Sequence, residues 1–284
     1  MPELPEVEIT ARLLSAAVSG AQIESTRAPG LNALRSFDPP LTALDGLVIT
    51  AIRRRGKLFL IDAGELTLIV HLMSAGRLQL YEQRASLKDR TSRVLLRLGA
   101  DGRELRLREF GTQQRAWVKL MRREAVEQEE TLAALGPDAW PQPPDAASLR
   151  AALAQPRPLH ALLRDQHVLA GIGRSWVDEI LHEAALSPFQ RGADLTPDEA
   201  QALRAATVAR LGHAIDHYAR TLALPLPDKL PLPLRVHRHN GEPCPRCGTT
   251  IEAVFYEEYV MCYCPSCQTE GRVLKDRRLS RLLK

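Results

Sequence analysis

The spacing of apolar and polar positions divides the 284-residue chain into a mixed first half and a helical second half. Residues 3–19 predict a helix, because their apolar positions fall on one stripe and a glycine follows. From residue 23 to residue 120, short runs of strand character alternate with Gly, Asp and Asn. These runs include 66–72, 92–98, 104–110 and 115–121. Their spacing predicts an antiparallel β-sandwich or barrel.

Helical periodicity dominates after residue 145, where the candidate helices span 146–154, 158–167, 175–185 and 196–220. The last helix is predicted to begin at a capping box, in which Thr196 precedes Glu199 by three residues and Pro197 takes the first helical position. Two proline-rich stretches interrupt the pattern. The first, 136–145, predicts a linker, and the second, 222–234, predicts an extended connector.

Composition limits the class of protein. Apolar residues make up 45% of the chain, which is enough to bury a sizeable core and excludes a disordered chain. No apolar run approaches the roughly 20 residues that cross a bilayer. The first residues include acids and lack the basic region and apolar run of a signal peptide, so we expect a cytoplasmic protein without membrane association.

The net charge of +4 is modest but unevenly distributed. Basic residues concentrate at 53–57, 90–123 and 271–284, whereas 124–145 carries six acids and no base. Separated basic zones in a moderately basic protein suggest a polyanion partner, most often nucleic acid. Charge alone favours the alternative, a solvated surface without a nucleic-acid partner.

Four of the five cysteines form two Cys-x2-Cys pairs separated by sixteen residues: Cys244, Cys247, Cys264 and Cys267. This spacing is typical of a tetrahedral zinc site in which each pair makes a tight knuckle and a β-hairpin lies between them. Because four thiolates leave no open coordination position, we expect one structural zinc ion. A disulfide framework is the disfavoured alternative in a cytosolic chain. Cys262 is expected to be a packing residue.

The N-terminus carries the most reactive candidate group. Methionine is usually removed ahead of a small residue, so we expect the mature chain to begin with the secondary amine of Pro2. An α-amino group has a pKa of about 8, so a usable fraction is unprotonated at neutral pH. Such an amine can attack a sugar C1′ and expel the base, and Glu3 beside it can move protons. The structural alternative is a proline at a helix start.

Several motifs occur together in one order: PELPEVE at the start, Lys57 after a basic run, Gly-Ile-Gly at 171–173 before a helix, and the four-cysteine module. With these motifs the sequence resembles the formamidopyrimidine-DNA glycosylase/endonuclease VIII family of base-excision enzymes over essentially its whole length. The resemblance implies an α+β multidomain fold. Its parts are an N-terminal antiparallel β-sandwich with a leading helix, a helical domain with a helix–two-turn–helix motif, and a C-terminal four-cysteine zinc finger.

On this resemblance we expect a catalytic domain at 1–135, a linker at 136–145, the helical DNA-binding domain at 146–235, the zinc finger at 236–270 and a basic tail at 271–284. Pro2 is similar to the family's nucleophile, Glu3 to its catalytic acid/base, and Glu6 to the helper in the same helix turn. Lys57 is similar to the family lysine near the lesion's phosphate. His71 is similar to the histidine of an HLGMSG motif, with a satisfied core histidine as its structural alternative.

Arg108 and Phe110 match the family's Arg-Arg-Phe-Gly loop, with Glu109 in place of the middle arginine. In such enzymes a base leaves the stack, and inserted side chains fill the gap and hold the orphan partner. The resemblance therefore implies that Phe110 is an apolar wedge and that Arg108 is a donor to the opposite base. The structural alternative for Phe110 is a core strand residue.

Three positions depart from the family pattern. The void-filling methionine aligns with Ser74, and Met73 would substitute for it only if the loop shifts by one residue. Arg174 replaces the asparagine after Gly-x-Gly, and its guanidinium can still reach a phosphate. Tyr259 occupies the position of a phosphate-gripping arginine, so we expect a weaker grip on DNA from the finger, offset by the basic tail.

The resulting expectation is a monomeric, nucleoid-associated base-excision repair enzyme that acts on double-stranded DNA with damaged bases or abasic sites. The connector from Thr221 to Val236 is shorter than the family segment that caps 8-oxoguanine. The resemblance therefore implies an endonuclease VIII-like or broad substrate range, namely oxidised pyrimidines, ring-opened purines and hydantoins, with 8-oxoguanine as a further candidate. Strand cleavage would follow by β- and δ-elimination through a proline Schiff base, with no redox or nucleotide cofactor.

The sequence leaves two alternatives open. One is a relative that binds damaged or abasic DNA without efficient base removal. The other is a zinc-ribbon module that binds RNA or protein, and this leaves the N-terminal motif unexplained.

Overall fold

The computed structural model describes residues 2–86, 88–99, 102–111, 113–257 and 259–274. Contacts divide the chain into two compact units, one built from 1–134 with 215–231 and the other from 135–214 with 232–284. Met1 and most of the predicted basic tail, 275–284, lie outside the described residues.

The first unit begins with a helix and continues as an antiparallel β-sandwich. Helix α1 spans Leu4–Val18, and the strands in chain order are β1 Ile23–Arg27, β2 Ile49–Arg55, β3 Leu58–Ala63, β4 Leu66–His71, β5 Gly76–Tyr81, β6 Ser92–Leu98, β7 Glu104–Glu109 and β8 Trp117–Arg122. One sheet has the order β1-β6-β7-β5 and the other the order β2-β3-β4-β8. This confirms the predicted sandwich and leading helix. Short helical turns at Leu31–Ala33, Leu41–Leu44, Arg123–Gln128 and α2 (Glu130–Ala133) complete the unit.

One apolar core joins α1 to both sheets of the first unit. Strand β3 is buried along its whole length, which explains its nearly continuous apolar sequence. Its one charged residue, Asp62, is compensated because Arg53 Nε donates to Oδ2 at 2.7 Å and Thr67 Oγ1 donates to Oδ1 at 2.6 Å. Burial of a charge is tolerated where it is paired and hydrogen-bonded in this way.

The second unit is helical with a small β-hairpin. Its elements are α3 Ala146–Leu153, α4 Leu159–Leu162, α5 Arg174–Glu183, a short helical turn at Gly192–Asp194, α6 Pro197–Thr221, β9 Glu252–Phe255, β10 Val260–Tyr263 and α7 Pro265–Gln268. Helix α6 starts in this unit, and its residues from 215 onward belong to the first. The predicted capping box is present, because Thr196 N–H donates to Glu199 Oε2 at 2.8 Å and Glu199 N–H donates to Thr196 Oγ1 at 3.3 Å.

The predicted helix at 158–167 is wrong in extent, because α4 ends at Leu162. The Asp165 carboxylate accepts the backbone N–H of His167 at 3.1 Å and so stabilises a turn instead of another helical turn. A second turn follows at residues 171–172, just before α5. The Gln166 side chain stabilises it, because Nε2 donates to the Ile172 carbonyl at 2.8 Å and Oε1 accepts the Gly171 N–H at 2.9 Å. Side-chain capping therefore produces the two turns between α4 and α5.

Two of the predicted domain bounds are placed differently by the contacts. Residues 215–231, which the sequence assigns to the helical domain, pack with the first unit. The stretch 136–145, predicted as a linker, packs within the second unit, where Ala139 is fully buried and donates its N–H to the Ala170 carbonyl at 2.9 Å. A membrane-spanning helix, which would need both length and apolar character, does not occur among the described residues.

We predict that the ionic cluster at Glu104 is a main determinant of the first unit's stability. Glu104 is fully buried and accepts from Arg106 Nε at 2.6 Å, from Arg97 Nε at 3.3 Å and from the Ala85 N–H at 2.8 Å. Glu104→Ala leaves these partners uncompensated and is expected to lower the free energy of unfolding by about 3–5 kcal/mol.

Urea unfolding measures this difference, with Glu24→Ala as the matched control. Glu24 pairs with Arg84 at 2.6 Å, but both side chains are almost half exposed, so a loss of at most about 1 kcal/mol is expected. Equal losses in the two variants would contradict the prediction.

Candidate active site

Two buried carboxylates, those of Glu3 and Glu6, follow Pro2 at the start of α1. Glu3 is the N-cap with extended backbone (φ −111°, ψ −172°), and both Glu3 and Glu6 are almost fully buried. The Glu6 carboxylate turns back in the manner of a capping box, so that Oε2 accepts the Glu3 N–H at 2.8 Å. This contact fixes the peptide that joins Glu3 to the half-buried Pro2.

The second oxygen of Glu6 has a partner that no motif indicated. Tyr218, fully buried on α6, donates its hydroxyl to Glu6 Oε1 at 2.8 Å. Burial and the nearby charge of Glu6 raise the pKa of the Tyr218 phenol far above its usual range. The hydroxyl therefore stays protonated and acts as a donor.

Lys57 and His71 lie at one end of the β2-β3-β4-β8 sheet. Lys57 follows Gly56, whose φ of 55° is in the left-handed region, in the two-residue turn between β2 and β3, and it is mostly buried. His71 ends β4 opposite Leu58, the first residue of β3. The register thus puts the imidazole beside the turn that carries Lys57.

The His71 ring is held neutral on an aromatic platform. It stacks on Trp117 with 5.6 Å between ring centroids, and the Arg35 guanidinium lies 5.2 Å from the same indole. Burial, followed by the positive charges of Lys57 and Arg35, lowers the pKa of His71 to about 4. Nδ1 accepts the Met73 N–H at 3.0 Å, which is consistent with an unprotonated nitrogen. Sequence reasoning missed Arg35 and Trp117, because neither belongs to a motif.

The turn after His71 shows how Met73 and Ser74 are placed. Met73 has φ 50°, a left-handed conformation that costs a residue with a side chain about 1–2 kcal/mol, and the exposed Ser74 follows it. Gly76 closes the turn by donating its N–H to the Leu72 carbonyl at 2.8 Å. A Cβ at residue 76 would lie 2.4 Å from that oxygen, so only glycine fits.

Arg108 and Phe110 lie at the end of β7 and directly after it. The Arg108 guanidinium is 4.7 Å from the Phe110 ring and donates to Thr91 Oγ1 at 2.9 Å and to the Tyr81 hydroxyl. Phe110 is half-buried outside the strand, so it is not a core strand residue. The intervening Glu109 points into the core, where it accepts backbone N–H groups at 2.7 and 2.9 Å. Its role is structural, because it shapes the loop.

The connector after α6 docks on the same sheet through Asp228. Its carboxylate lies 3.4 Å from Arg108 Nη1 and accepts from Gln79 Nε2 at 3.1 Å, and its carbonyl accepts from Arg77. Gln79 also donates to the Leu226 carbonyl at 2.9 Å. The connector therefore contacts the residue that the sequence matched to an opposite-base donor.

In the second unit, Arg174 and Tyr259 belong to one stack of cationic and aromatic groups. Arg174 opens α5, and its guanidinium lies 5.4 Å from the Tyr259 ring, while that of Arg164 lies 4.2 Å away. Tyr256 stacks on Tyr259 at 4.5 Å between centroids, and the buried His160 stacks at 5.7 Å. Where the sequence suggested only a lost arginine, the structure adds Arg164 beside the tyrosine.

The four paired cysteines converge as predicted. Their four sulfur atoms all lie within 4.8 Å of one another, and the residues are Cys244, Cys247, Cys264 and Cys267. A tetrahedral set of four thiolates suits zinc and leaves no coordination position for substrate, so the fit is to a structural ion. His182 Nε2 lies 3.2 Å from Cys244 Sγ, as expected for a group that supports a ligand. Cys262 is buried in the adjoining apolar cluster and is not part of the four-sulfur group.

The comparisons with known proteins agree with this geometry. The family model of the formamidopyrimidine-DNA glycosylase N-terminal domain matches residues 1–113, and that of the H2TH domain matches residues 135–224. The chain is 34% identical over 282 residues to the formamidopyrimidine-DNA glycosylase of Geobacillus kaustophilus, covering 94% of this chain and all of that protein.

Solved structures give the same picture. The MutM (Fpg) protein from Thermus thermophilus is 31% identical with a TM-score of 0.80, covering 95% of this chain and 100% of the other. The Lactococcus lactis Fpg bound to an N7-benzyl-Fapy-dG containing DNA is 25% identical with a TM-score of 0.84, covering 94% of this chain and 100% of the other. The chain belongs to the formamidopyrimidine-DNA glycosylase family.

Membership of this family makes the chain a DNA glycosylase and confirms the predicted family and fold. The matched N-terminal domain contains the predicted site residues from Pro2 to Phe110, and the H2TH domain contains Arg174 and Tyr218. Tyr259 and the cysteine module lie beyond both matched ranges. The roles of the individual residues stay predictions.

We predict that His71 remains neutral throughout the physiological pH range. NMR titration of its ring should give a midpoint near pH 4 in the folded protein, against about 6.5 in the unfolded chain. Because the unfolded state binds the proton first, the contribution of His71 to stability is present above pH 6.5 and is lost as the pH falls toward 4. Lys57→Met removes a nearby positive charge and should raise the midpoint. A wild-type midpoint near 6.5 would contradict the placement of this ring.

We also predict one zinc ion per chain. Elemental analysis should find one equivalent in the wild type and much less in Cys267→Ala, and a chelator should destabilise the second unit, since a structural zinc stabilises the fold. The matched control is Cys262→Ala, which removes a buried thiol outside the four-sulfur group and should keep the metal. Loss of zinc in both variants would count against the ligand assignment.

Proposed function

We propose that this chain removes oxidised bases from double-stranded DNA and then cleaves the strand at the abasic site, with the Pro2 amine as nucleophile. The observation that carries the proposal is the buried Glu3 and Glu6 pair, which holds the backbone directly behind Pro2. The proposal requires removal of Met1. Family membership supports the glycosylase class, while the lyase step and the proline mechanism rest on the chemistry of these residues.

The first step is displacement at the sugar. The neutral secondary amine forms a bond from its nitrogen to C1′, the bond from C1′ to the base breaks, and the base leaves after accepting a proton. The nitrogen then loses its proton, and the bond from C1′ to the ring oxygen breaks as that oxygen accepts a proton. This opens the sugar and leaves an iminium between Pro2 and C1′. Glu3 is the residue placed to transfer these protons, since it is adjacent to Pro2 and buried.

Strand cleavage follows from the iminium. Its positive charge acidifies the C2′ proton; loss of that proton expels the 3′ phosphate, and a second elimination expels the 5′ phosphate. Water then hydrolyses the iminium and frees the amine. No redox or nucleotide cofactor enters, and the zinc ion held by the four cysteines has a structural role.

DNA binding is assigned to the cationic and aromatic groups of both units. In the first unit, Lys57 and neutral His71 suit a phosphate near the lesion, since both can donate hydrogen bonds. The Phe110 ring is suited to insertion into the base stack. The Arg108 guanidinium is suited to donate hydrogen bonds to the orphan base once the guanidinium separates from the Asp228 carboxylate. Met73 and Ser74 are placed on the turn between β4 and β5. Arg174 and Tyr259, with Arg164, suit phosphate binding by the second unit.

The proposed substrates are ring-opened purines, oxidised pyrimidines and hydantoins, with 8-oxoguanine as a further candidate. The Lactococcus lactis relative has been solved with DNA that contains a Fapy-dG lesion and with DNA that contains an abasic site. The connector after α6 supports a broad substrate range. Its Leu226 carbonyl and Asp228 carboxylate accept hydrogen bonds from Gln79 of β5 and, for Asp228, from Arg108 of β7.

A specific observation keeps a second function in view, namely recognition of abasic or damaged DNA without efficient base removal. Met73 occupies a left-handed turn position, and the small Ser74 stands at the place of the family's void-filling methionine. A weaker void filler would leave binding intact and slow base extrusion.

The test is borohydride trapping on duplexes with an abasic site, 8-oxoguanine or 5,6-dihydrouracil. We expect the wild type to form a covalent adduct, Pro2→Gly to lose it, and Glu3→Gln to slow base excision by roughly 10²–10⁴-fold. The control Glu24→Gln changes an exposed carboxylate and should react like the wild type.

Mass spectrometry of the N-terminus accompanies the trapping, because a retained Met1 would block the amine. With Pro2 shown to be terminal, absence of an adduct on every duplex would sink the lyase proposal and favour the damaged-DNA binder. An adduct on the abasic duplex alone would restrict the activity to strand cleavage.

A further inference from the structure

Tyr218 takes no direct part in the proposed bond-making and bond-breaking steps. It is fully buried on α6, and its hydroxyl donates to Glu6 Oε1 at 2.8 Å. The other oxygen of that carboxylate accepts the Glu3 N–H at 2.8 Å. Glu6 is therefore held at both oxygens, by a side chain from α6 and by the backbone next to Pro2.

Packing alone does not explain the hydroxyl. A phenylalanine would fill the same apolar volume, and burying a hydroxyl costs free energy unless it is hydrogen-bonded. The partner that Tyr218 has is a carboxylate, and hydrogen bonds to charged groups are the stronger kind. The pair of groups is therefore organised around the Glu6 charge.

The direction of the hydrogen bond is also determined. Burial, together with the charges of Glu6 and Glu3, raises the pKa of the Tyr218 phenol far above neutrality, so the proton stays on the phenol oxygen. A donor that never ionises stabilises a carboxylate in its charged form and in one orientation. Glu6 can then keep accepting the Glu3 N–H.

We propose that Tyr218 is a positioning residue for the amine chemistry, in which its hydroxyl orients Glu6, and Glu6 in turn orients the peptide between Pro2 and Glu3. This inference rests on the proposed function. The consequence is that the nucleophile and its neighbouring acid/base are preorganised by a residue 212 positions away from Glu6 in sequence. Such preorganisation raises the rate of the chemical step and leaves binding of the DNA duplex unchanged.

The experiment compares Tyr218→Phe with wild type in single-turnover trapping on an abasic duplex. We expect the rate of adduct formation to fall about tenfold, as for a lost hydrogen bond to a charged group. Affinity for a duplex with a non-reactive tetrahydrofuran abasic analogue should be unchanged. On the acid limb of the pH–rate profile, protonation of Glu6 adds to protonation of the Pro2 amine, and this additional loss of rate should begin at higher pH than in the wild type, because a carboxylate that lacks its donor is protonated more readily.

The matched control is Tyr263→Phe, which also removes one buried hydroxyl. Tyr263 is fully buried in the second unit, and its hydroxyl accepts the Leu274 N–H at 2.7 Å. We expect the rate and the pH profile of this variant to match those of the wild type. Tyr218→Phe in a Glu6→Gln background should add less than about twofold, since residues that act through one another are not additive.

The outcomes separate this inference from the function on which it rests. If the wild type forms the adduct and Tyr218→Phe equals Tyr263→Phe in rate and acid limb, Tyr218 is structural only and the inference is overturned. If the wild type itself forms no adduct, the proposed function fails first, and the inference with it. Should Tyr218→Phe not fold, a Glu6→Gln variant that forms the adduct at the wild-type rate would equally overturn it.

Discussion

The buried charge of Glu6 is the constraint on which the first unit's site depends. A carboxylate removed from water needs a donor at each oxygen, and here one comes from the Glu3 N–H and the other from Tyr218 on α6. Satisfying that charge joins the start of the chain to a helix more than two hundred residues later. The same contacts hold the peptide that joins Glu3 to Pro2, so the hydrogen bonds that burial requires are also those that the proposed amine chemistry would use.

The sheets supply the rest of the first unit's site through their turns and edges. The β3–β4 register brings the ring of His71 beside the Lys57 turn, and Trp117 gives it a platform. Burial, followed by the positive charges of Lys57 and Arg35, lowers the pKa of His71 and keeps the imidazole neutral, so it offers a hydrogen bond without adding charge. On the other sheet, Arg108 Nη1 lies 3.4 Å from the Asp228 carboxylate of the connector. The proposed contact between Arg108 and an orphan base would require this ion pair to break.

Buried acids organise the second unit as well. The Glu179 carboxylate on α5 accepts three successive backbone N–H groups, of residues 235, 236 and 237, at 2.8–3.0 Å. Its neighbour Asp178 accepts the Cys262 N–H at 2.9 Å and lies 2.6 Å from His237 Nδ1. Helix α5 thereby anchors the chain that leads into the cysteine module. Helix α5 thus carries Arg174 at its start and contacts the four-cysteine cluster through His182 near its end.

The sequence alone determined the features whose signal is local or periodic: α1, the strand pattern, the α6 capping box and the two cysteine pairs. The spacing of those pairs is typical of one arrangement, a four-sulfur metal site. It also indicated Pro2 and Glu3 as candidate reactive residues, because both belong to the PELPEVE motif. Only the tertiary structure decided three further contacts. Tyr218 donates a hydrogen bond to Glu6, Trp117 stacks on His71, and the Arg164 guanidinium lies over the Tyr259 ring. These pairs lie far apart along the chain or outside any motif. The spacing of residues along the sequence does not predict these contacts, because they form only when burial and strand register bring distant residues together.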